Sequence, residues 1–257
     1  MTFRTPYCHT HEECHGGFLP ADDGHRLFDE DDDAGDFPEI NYKGEWWTLV
    51  TCSDEKDQDY IYDKPQAHLD TVIIAVDGAC RGNGTSDAEA SYGVFFHRDN
   101  HSWNESVALP DNFKTNQQAE LRAALEGLLS AKNLRLLNTD LCGTARRPGP
   151  MRKLSHVVIK TDSAYLFNAM TKWVFKWRNN DYINCKGRPV TNATLFKQLE
   201  AEIQALHKLN VGVQFWHVRR EENREADALA NAALDGRSAR AALALIGAHY
   251  SDDSDSD

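Results

Sequence analysis

Residues 71–84 read TVIIAVDGACRGNG, and this stretch decides the fold of the chain. The run from Thr71 to Val76 is apolar throughout and rich in β-branched residues, which is typical of a strand buried on both faces. Two further strand patterns, Ser91–His97 and Trp103–Leu109, follow after short turns. Three strands at this spacing predict an antiparallel meander.

Beyond the meander, helical and strand patterns alternate. A long helix is predicted by an apolar face made of Leu121, Ala124, Leu125, Leu128 and Leu129. Strand patterns at Val157–Lys160 and Val211–His217 follow, with helical stretches between them. A last one-sided helix carries Ala226, Leu229, Ala230, Ala233 and Leu234. This order predicts an α/β fold with a five-stranded mixed sheet, its first three strands antiparallel, flanked by helices.

Charge separates the body of the chain from its ends. The 257 residues have a net charge of −12, but residues 1–70 carry 18 acidic and only 5 basic side chains. Residues 71–250 carry 18 acidic and 23 basic side chains, which is compatible with an anionic partner. We expect residues 1–37 and the tail 251–257, SDDSDSD, to be disordered because they are acidic and poor in apolar side chains.

The segments between these ends divide the chain further. Residues 38–69 are an N-terminal extension that we expect to pack partly on the body, since Trp46, Trp47, Leu49 and Val50 favour a short strand. The body is expected to span residues 70–236 and to contain a surface insertion at 133–153, which includes PGP and five basic groups. Residues 237–250 are expected to form a C-terminal helical extension.

Composition also limits the class of protein. No stretch approaches the ~18 apolar residues that span a bilayer, and the acidic, polar start resembles neither a secretory signal nor a transit peptide. We therefore expect an intracellular protein, in the nucleus or cytoplasm, whose six scattered cysteines are reduced thiols. The side chains of Cys8, His9, His11, Cys14 and His15 offer ligands for zinc, but an accidental cluster stays the alternative because their spacing matches no defensible zinc pattern.

Four acidic residues occupy places where packing alone would not put them. Asp77 and Asp162 end the first and fourth strand patterns, Glu120 lies just before the apolar stripe of the long helix, and Asp227 lies within the last apolar face. A buried carboxylate is unfavourable unless it is paired or binds a metal. If strands one and four are neighbours, Asp77 and Asp162 come together, which favours a divalent cation between them. Taken singly, each acid has a structural explanation as a turn former, a helix first-turn residue or a solvated position.

The segments DGACRGNG, TNQQAEL, KTDS and HVRREENREADALA resemble, in order, the four signature segments of type-1 ribonuclease H. The resemblance covers about residues 70–235 and implies a ribonuclease H-like fold. It implies that Asp77, Glu120, Asp162 and Asp227 bind two Mg²⁺ ions, for which Mn²⁺ can substitute. It further implies an endonuclease that cuts the RNA strand of RNA–DNA hybrids and leaves 5′-phosphate and 3′-hydroxyl ends.

The same resemblance assigns a histidine and several contacts to the hybrid. His217, ten residues before Asp227, matches the family's loop histidine, which helps to move protons or release product; without that register a polar strand end is the better explanation. Asn116 and Gln117 match residues that reach the minor groove. Thr115 and Asn192 match the pocket for a phosphate of the DNA strand.

Two features near the DNA strand differ in how well they match. Trp173 and Trp177 match aromatics beside the DNA-strand channel, although a tryptophan pair at this spacing is otherwise typical of a core. Phe113 stands where the family often has a basic residue, and the segment Lys176–Arg188 is less densely charged than the family's basic handle.

Two other functions are compatible with parts of this pattern. A non-catalytic RNA- or hybrid-binding module would gain little from four clustered acids. An integrase or junction resolvase on the same fold would not be expected to carry TNQQAEL. We therefore expect a monomeric enzyme whose partner is an RNA–DNA hybrid and not a membrane.

Overall fold

The computed structural model describes residues 26–28, 39–40, 47–52, 66–67, 70–98, 102–137 and 153–244. Its strands are β1 (Arg26–Phe28), β2 (Glu39–Ile40), β3 (Leu49–Cys52), β4 (Gln66–Ala67), β5 (Thr71–Arg81), β6 (Glu89–Phe95), β7 (Glu105–Ala108), β8 (His156–Thr161) and β9 (Gly212–His217). Its α-helices are α1 (Asn116–Leu136), α2 (Ala164–Asn168), α3 (Val174–Arg178), α4 (Ala193–Lys208) and α5 (Arg224–Leu234). A π-helix, Ala169–Trp173, joins α2 to α3, and a 3-10 turn, Arg220–Glu222, precedes α5.

A mixed sheet in the order β1-β9-β8-β5-β6-β7 forms the centre of the described structure. Strands β5, β6 and β7 pair antiparallel, and β8 and β9 run parallel to β5. This confirms the predicted α/β fold and its antiparallel meander. The two faces of β5 carry alternate residues: Ile74 and Val76 belong to the core that includes α1, whereas Ala75 packs with α5.

One strand was not predicted from the sequence. β1 pairs in parallel with β9 and adds a sixth strand to the sheet. It lies within residues 1–37, so at Arg26–Phe28 the prediction of disorder from composition is wrong. The edge of a sheet offers unpaired backbone groups that any extended segment can use, and side-chain composition does not reveal such pairing. The other residues of 1–37, including the Cys8–His15 cluster, and the tail 251–257 lie outside the described residues.

The N-terminal extension contacts the body through residues 47 and 48. Trp47 is 4% exposed, and its ring lies 5.7 Å from the ring of Phe96 and 5.9 Å from that of Trp103. The Thr48 amide donates to the Phe96 carbonyl at 3.1 Å, and the Ile73 amide donates to the Thr48 carbonyl at 2.8 Å. Trp46 lies outside the described residues. Backbone pairing and aromatic packing thus attach this part of the chain to β5 and β6.

The boundaries of the insertion differ from those expected. α1 continues to Leu136, and the Arg135 guanidinium donates to the Leu209 carbonyl at 3.2 Å, so the first residues of 133–153 belong to the helix. Ala131 and Leu134 continue the buried face of this helix, so the boundary at residue 133, drawn from the basic and Pro/Gly-rich residues that follow, was too early. Residues 138–152 lie outside the described residues.

At the other end, residues 239–244 are helical, and Ala242 and Leu243 pack with Ala75 and Phe95. Cys80 and Cys185, the two cysteines whose side chains the structure describes, are free thiols. Among the described residues, no helix combines the length and the apolar character needed to cross a bilayer.

Candidate active site

Asp77 and Asp162 lie at the same edge of the sheet. The parallel pairing of β5 with β8 runs from Thr71 to Ala75, so Asp77 lies just beyond its end, and Asp162 follows the last residue of β8. The sequence predicted that this strand ends at Asp77. It continues to Arg81 instead, because the residues after Asp77 pair with β6. The predicted neighbourhood of the first and fourth strands is confirmed.

Two glycines allow helices to bring the other two acids close to Asp77. A Cβ on Gly78 would lie 2.2 Å from the backbone nitrogen of Glu120, so only glycine permits α1 to approach β5 at this point. Gly93 is the cross-strand partner of Asp77. A Cβ on Gly93 would lie 2.4 Å from the Ala226 carbonyl oxygen, beside Asp227 on α5.

The four carboxylates influence one another electrostatically. Burial raises the pKa of Asp77 well above its ordinary value, and the charges of Asp162, Asp227 and, more weakly, Glu120 raise this pKa further. Burial also raises the pKa of Glu120, to which the Asp162 charge contributes, while hydrogen bonds from Ser163 and Asn116 oppose the shift. Like charges in a dry site raise each other's pKa, and a bound cation would relieve that repulsion.

Each of the other carboxylates is held by a donor from the protein. Glu120 accepts hydrogen bonds from the Asn116 Nδ2 at 2.7 Å and the Ser163 Oγ at 2.5 Å. Asp162 accepts one from the Asn223 Nδ2 at 2.7 Å.

Asp227 is paired differently. Its Oδ1 accepts from the Arg220 guanidinium at 2.6 Å, in an ion pair whose arginine is largely exposed. This hydrogen bond and the charge of Asp227 raise the pKa of Arg220, to which Asp77 and Asp162 add smaller effects. The guanidinium therefore lies within the electrostatic field of three of the four acids.

A divalent cation fits the chemistry of this cluster but needs side-chain movement. All four acids supply hard oxygen ligands, which suit Mg²⁺ and Mn²⁺ better than zinc. As their side chains stand, no group of three or more His, Cys, Asp and Glu residues in the described part of the chain is placed to hold a metal ion. The hydrogen bonds to Glu120, Asp162 and Asp227 account for this arrangement, because each carboxylate turns toward its own donor. Binding of a metal would exchange such donors for the cation.

Asp77→Asn is expected to stabilise the metal-free protein at neutral pH. A carboxyl group whose pKa is raised by folding stabilises the fold at low pH. This stabilisation is lost as the pH rises from the pKa of the unfolded chain, about 3.9, through the pKa of the folded protein. Wild type should therefore lose stability over this range, and Asp77→Asn should lose less. Urea unfolding in EDTA at several pH values measures this difference.

The exposed residue Asp111 supplies the control for that experiment, since Asp111→Asn removes one carboxylate outside the cluster. Its pH dependence should match that of wild type. Parallel pH profiles for Asp77→Asn and wild type would contradict the raised pKa of Asp77.

Comparison with known proteins places this cluster in a family. A family model described as RNase H matches residues 70–235, which is more than half of the chain and includes all four acids. The chain belongs to the ribonuclease H family. Ribonuclease H of Erythrobacter litoralis (strain HTCC2594) is 32% identical over 165 residues, covering 64% of this chain and 96% of that protein.

Other ribonuclease H proteins match the same region. Ribonuclease H1 of Mus musculus is 30% identical over 165 residues, which cover 63% of this chain and 49% of that protein, so the chain spans about half the length of this relative. A crystal structure of LC11-RNase H1 in complex with an RNA/DNA hybrid matches with 22% identity and a TM-score of 0.41, covering 64% of this chain and 96% of that one.

The histidine that matches the ribonuclease H loop residue is not in a loop here. His217 is the last residue of β9, pairs in register with Thr161, and is buried. Its ring stacks on Phe167, with 5.3 Å between the ring centres and 20° between the planes. The strand-end position that the residue type alone favours is the one observed. Its catalytic role is therefore a proposal that rests on register with Asp227.

Asn116 and Gln117, matched to the minor groove, are the first residues of α1. Thr115, matched to the phosphate pocket of the DNA strand, is the N-cap of this helix, and its hydroxyl accepts a hydrogen bond from the Gln118 backbone amide at 3.3 Å. The backbone amide of Asn116 donates to the Oδ1 of Asn83 at 3.0 Å, which ties the loop after β5 to the helix. Gln117 is exposed. Asn116 thus contacts both this loop and the Glu120 carboxylate.

The residues matched to the DNA strand form a second group. Trp173 is 41% exposed, and its ring lies 5.8 Å from the ring of Trp177. Trp177 is more enclosed, with the ring of Phe196 5.0 Å away, so part of this pair does serve packing. Asn192 has a left-handed backbone, with φ of 62°, and its Nδ2 donates to the Tyr165 hydroxyl at 3.3 Å.

Three residues that hold the acids in place were not predicted from the sequence. Asn223 is only 1% exposed, and its Nδ2 also donates to the Val76 carbonyl at 3.1 Å, which links α5 to β5 and to Asp162. Ser163 is the N-cap of α2, and its position before a helical stretch was a usable signal. Nothing in the sequence pairs Arg220 with Asp227, since that contact depends on the conformation of the turn between them.

Proposed function

We propose that the chain is an endonuclease that hydrolyses the RNA strand of RNA–DNA hybrids and leaves 5′-phosphate and 3′-hydroxyl ends. One observation carries the proposal: the buried Asp77 lies within the electrostatic reach of Asp162, Asp227 and Glu120, inside the region that matches the family. Four acids in one partly dry cluster destabilise the metal-free protein. Such a cluster is understandable if it binds cations during function.

The four acids would hold Mg²⁺, or Mn²⁺ in its place, as two ions. When bound, such ions lower the pKa of an attacking water and stabilise the charge on the leaving oxygen. The protein's part is to present the carboxylates together. Burial of Asp77 and the close approach of α1 and α5 at Gly78 and Gly93 provide this arrangement.

Selection of the RNA strand is assigned to the start of α1. The Asn116 side chain donates to Glu120, and by its resemblance to the family we assign it to contact a 2′-hydroxyl of the RNA strand. Gln117 is exposed beside it. Contact with 2′-hydroxyl groups distinguishes RNA from DNA, and groove shape distinguishes a hybrid from either duplex. Thr115, Asn192, Trp173 and Trp177 are proposed to contact the DNA strand.

The test is cleavage of strand-labelled substrates by the whole chain. RNA–DNA hybrid, double-stranded RNA and double-stranded DNA are incubated with the protein in Mg²⁺ and in EDTA. We expect cleavage of the hybrid alone and only with the metal. Tight hybrid binding without cleavage would favour the binding-module alternative, and cleavage of branched or duplex DNA would favour a resolvase or integrase. The proposal includes a monomer that acts within the cell, in the nucleus or cytoplasm, without a membrane partner.

His217→Ala is expected to lower kcat by about 10²-fold, the lower end of the usual contribution of acid–base groups. The loss should be milder than that caused by removing a metal ligand, because the four acids stay in place. Because the ring is buried against Phe167, unfolding of the variant must be measured beside its cleavage rate. A loss as complete as that of an acid variant, in a folded protein, would show that His217 has a ligating or structural role.

A further inference from the structure

Glu200, on α4, is a buried carboxylate that lies outside the active-site cluster. It is 8% exposed and accepts hydrogen bonds from the Arg178 Nε at 2.7 Å, from the Nη2 of the same guanidinium, and from the Tyr182 hydroxyl. A carboxylate so enclosed is unfavourable unless its oxygens are satisfied. Here two residues of one segment satisfy both oxygens: Arg178 donates to Oε1 and Tyr182 donates to Oε2.

The two donors lie at one end of the loop 179–192. Arg178 is the last residue of α3, and Tyr182 lies four residues further along. Asp181 and Tyr182 both have left-handed backbones, with φ of 54° and 60°, although neither is glycine. Such conformations persist only where surrounding contacts impose them. Glu200 supplies such a contact from the neighbouring helix.

Tyr182 is also the centre about which the loop is organised. Its amide donates to the Trp177 carbonyl at 2.9 Å, and its own carbonyl accepts from the Val190 amide at 2.7 Å. Its ring lies 6.3 Å from that of Trp177, and the Lys197 Nζ lies over the Tyr182 ring, 5.0 Å from its centre. The loop therefore closes on a tyrosine whose hydroxyl is bound to Glu200.

Residues assigned to the DNA strand lie at both ends of this closed loop. Trp177 lies just before it, and Asn192 ends it, directly before α4. Since Glu200 is also on α4, its carboxylate ties the start of the loop to the helix that directly follows Asn192. Loss of its charge would release Arg178 and loosen the backbone between Trp177 and Asn192.

We propose that Glu200 is a positioning residue that fixes the loop 179–192 for binding the DNA strand of the hybrid. The anchoring of the loop stands on the contacts of Glu200, whereas its effect on substrate rests on the proposed function. The hydrogen-bond donors of Glu200 are Arg178 and Tyr182, and neither belongs to the four acids or to the residues assigned to the 2′-hydroxyl. The chemical step should therefore be insensitive to it.

Glu200→Gln tests the anchor, because it keeps the volume of the side chain and removes the charge that binds Arg178. Hydrogen exchange in the metal-free whole chain should become about tenfold faster at the Tyr182 and Val190 amides. With hybrid and Mg²⁺, KM should rise about tenfold and kcat should stay within about twofold. General damage to the fold would instead lower kcat through the fraction of active protein.

The matched control is Glu202→Gln, which makes the same change on the same helix and breaks the ion pair with Lys132. It should alter neither the exchange of the loop nor KM. Tyr182→Phe removes a single donor to Glu200 and should give a smaller shift in the same direction, which keeps the test available if Glu200→Gln does not fold.

The outcomes separate the two claims. Unchanged exchange at Tyr182 and Val190 in both variants would overturn the anchor. Faster exchange with unchanged KM would overturn the link to substrate binding. Absence of hybrid cleavage by wild type would refute the proposed function, while the exchange measurement would still decide the anchor.

Discussion

Asp162→Asn is expected to abolish cleavage and leave the fold intact. The substitution removes one negative charge from the cluster of four acids, which we propose to bind the metal, and keeps the volume of the side chain. Its remaining Oδ1 can still accept the hydrogen bond from Asn223 that positions this side chain. A bound metal supplies several kcal/mol of transition-state stabilisation, so kcat should fall by at least about 10³-fold.

Measuring the free energy of unfolding distinguishes a loss of cleavage activity from a loss of the fold. Because one of four repelling charges is gone, the free energy of unfolding of the metal-free variant should equal or exceed that of wild type. Asp111→Asn, which changes an exposed aspartate, should retain wild-type turnover. Near wild-type turnover of folded Asp162→Asn in Mg²⁺ would contradict the assignment of the four acids.

Trp47→Ala is expected to destabilise the protein strongly, although residue 47 precedes the region that matches the family. Trp47 is buried between Phe96 and Trp103, and truncation of a buried tryptophan typically lowers the free energy of unfolding by about 3–5 kcal/mol. For a domain of this size, that corresponds to a decrease in Tm of about 10 °C. Thermal and urea unfolding measure both quantities.

Leu137→Ala is the control, because Leu137 is a large apolar residue that is 69% exposed. It should change stability by no more than about 0.5 kcal/mol. If Trp47→Ala unfolded at the same urea concentration as wild type, the N-terminal extension would not belong to the folded unit. If it is destabilised as expected, a version cut at residue 70 should be less stable than the whole chain.

The elements of the sheet could be predicted because their signals are local. The apolar run at 71–76 and the helical stripe from Leu121 to Leu129 each identify an element without knowledge of the rest of the chain. The sequence predicted that Asp77 and Asp162 meet if the first and fourth strands are neighbours, and β8 does pair with β5. β1 could not be predicted, because three residues paired through their backbones leave no pattern in side-chain polarity.

In the candidate site, too, the local features could be predicted from the sequence and the tertiary contacts could not. The four acids were found because each lies in a recognisable segment, and the sheet and two close helix approaches bring them together. Their partners depend on tertiary contacts that sequence does not encode locally: Asn223 reaches Val76 on β5 and Asp162 after β8, and Arg220 meets Asp227 across a turn. The burial of His217 could not be predicted from its position ten residues before Asp227 in the sequence, since the same separation fits a loop or a strand end.

The most direct test of the central claim is end-group analysis of a hybrid whose two strands carry different labels. The whole chain is incubated with this hybrid in Mg²⁺, with Asp162→Asn as the inactive comparison. We predict that only the RNA strand is cut, that its products have 5′-phosphate and 3′-hydroxyl ends, and that EDTA or Asp162→Asn prevents the cut. Cleavage of the DNA strand, 2′,3′-cyclic phosphate ends, or undiminished cleavage in EDTA would contradict the account.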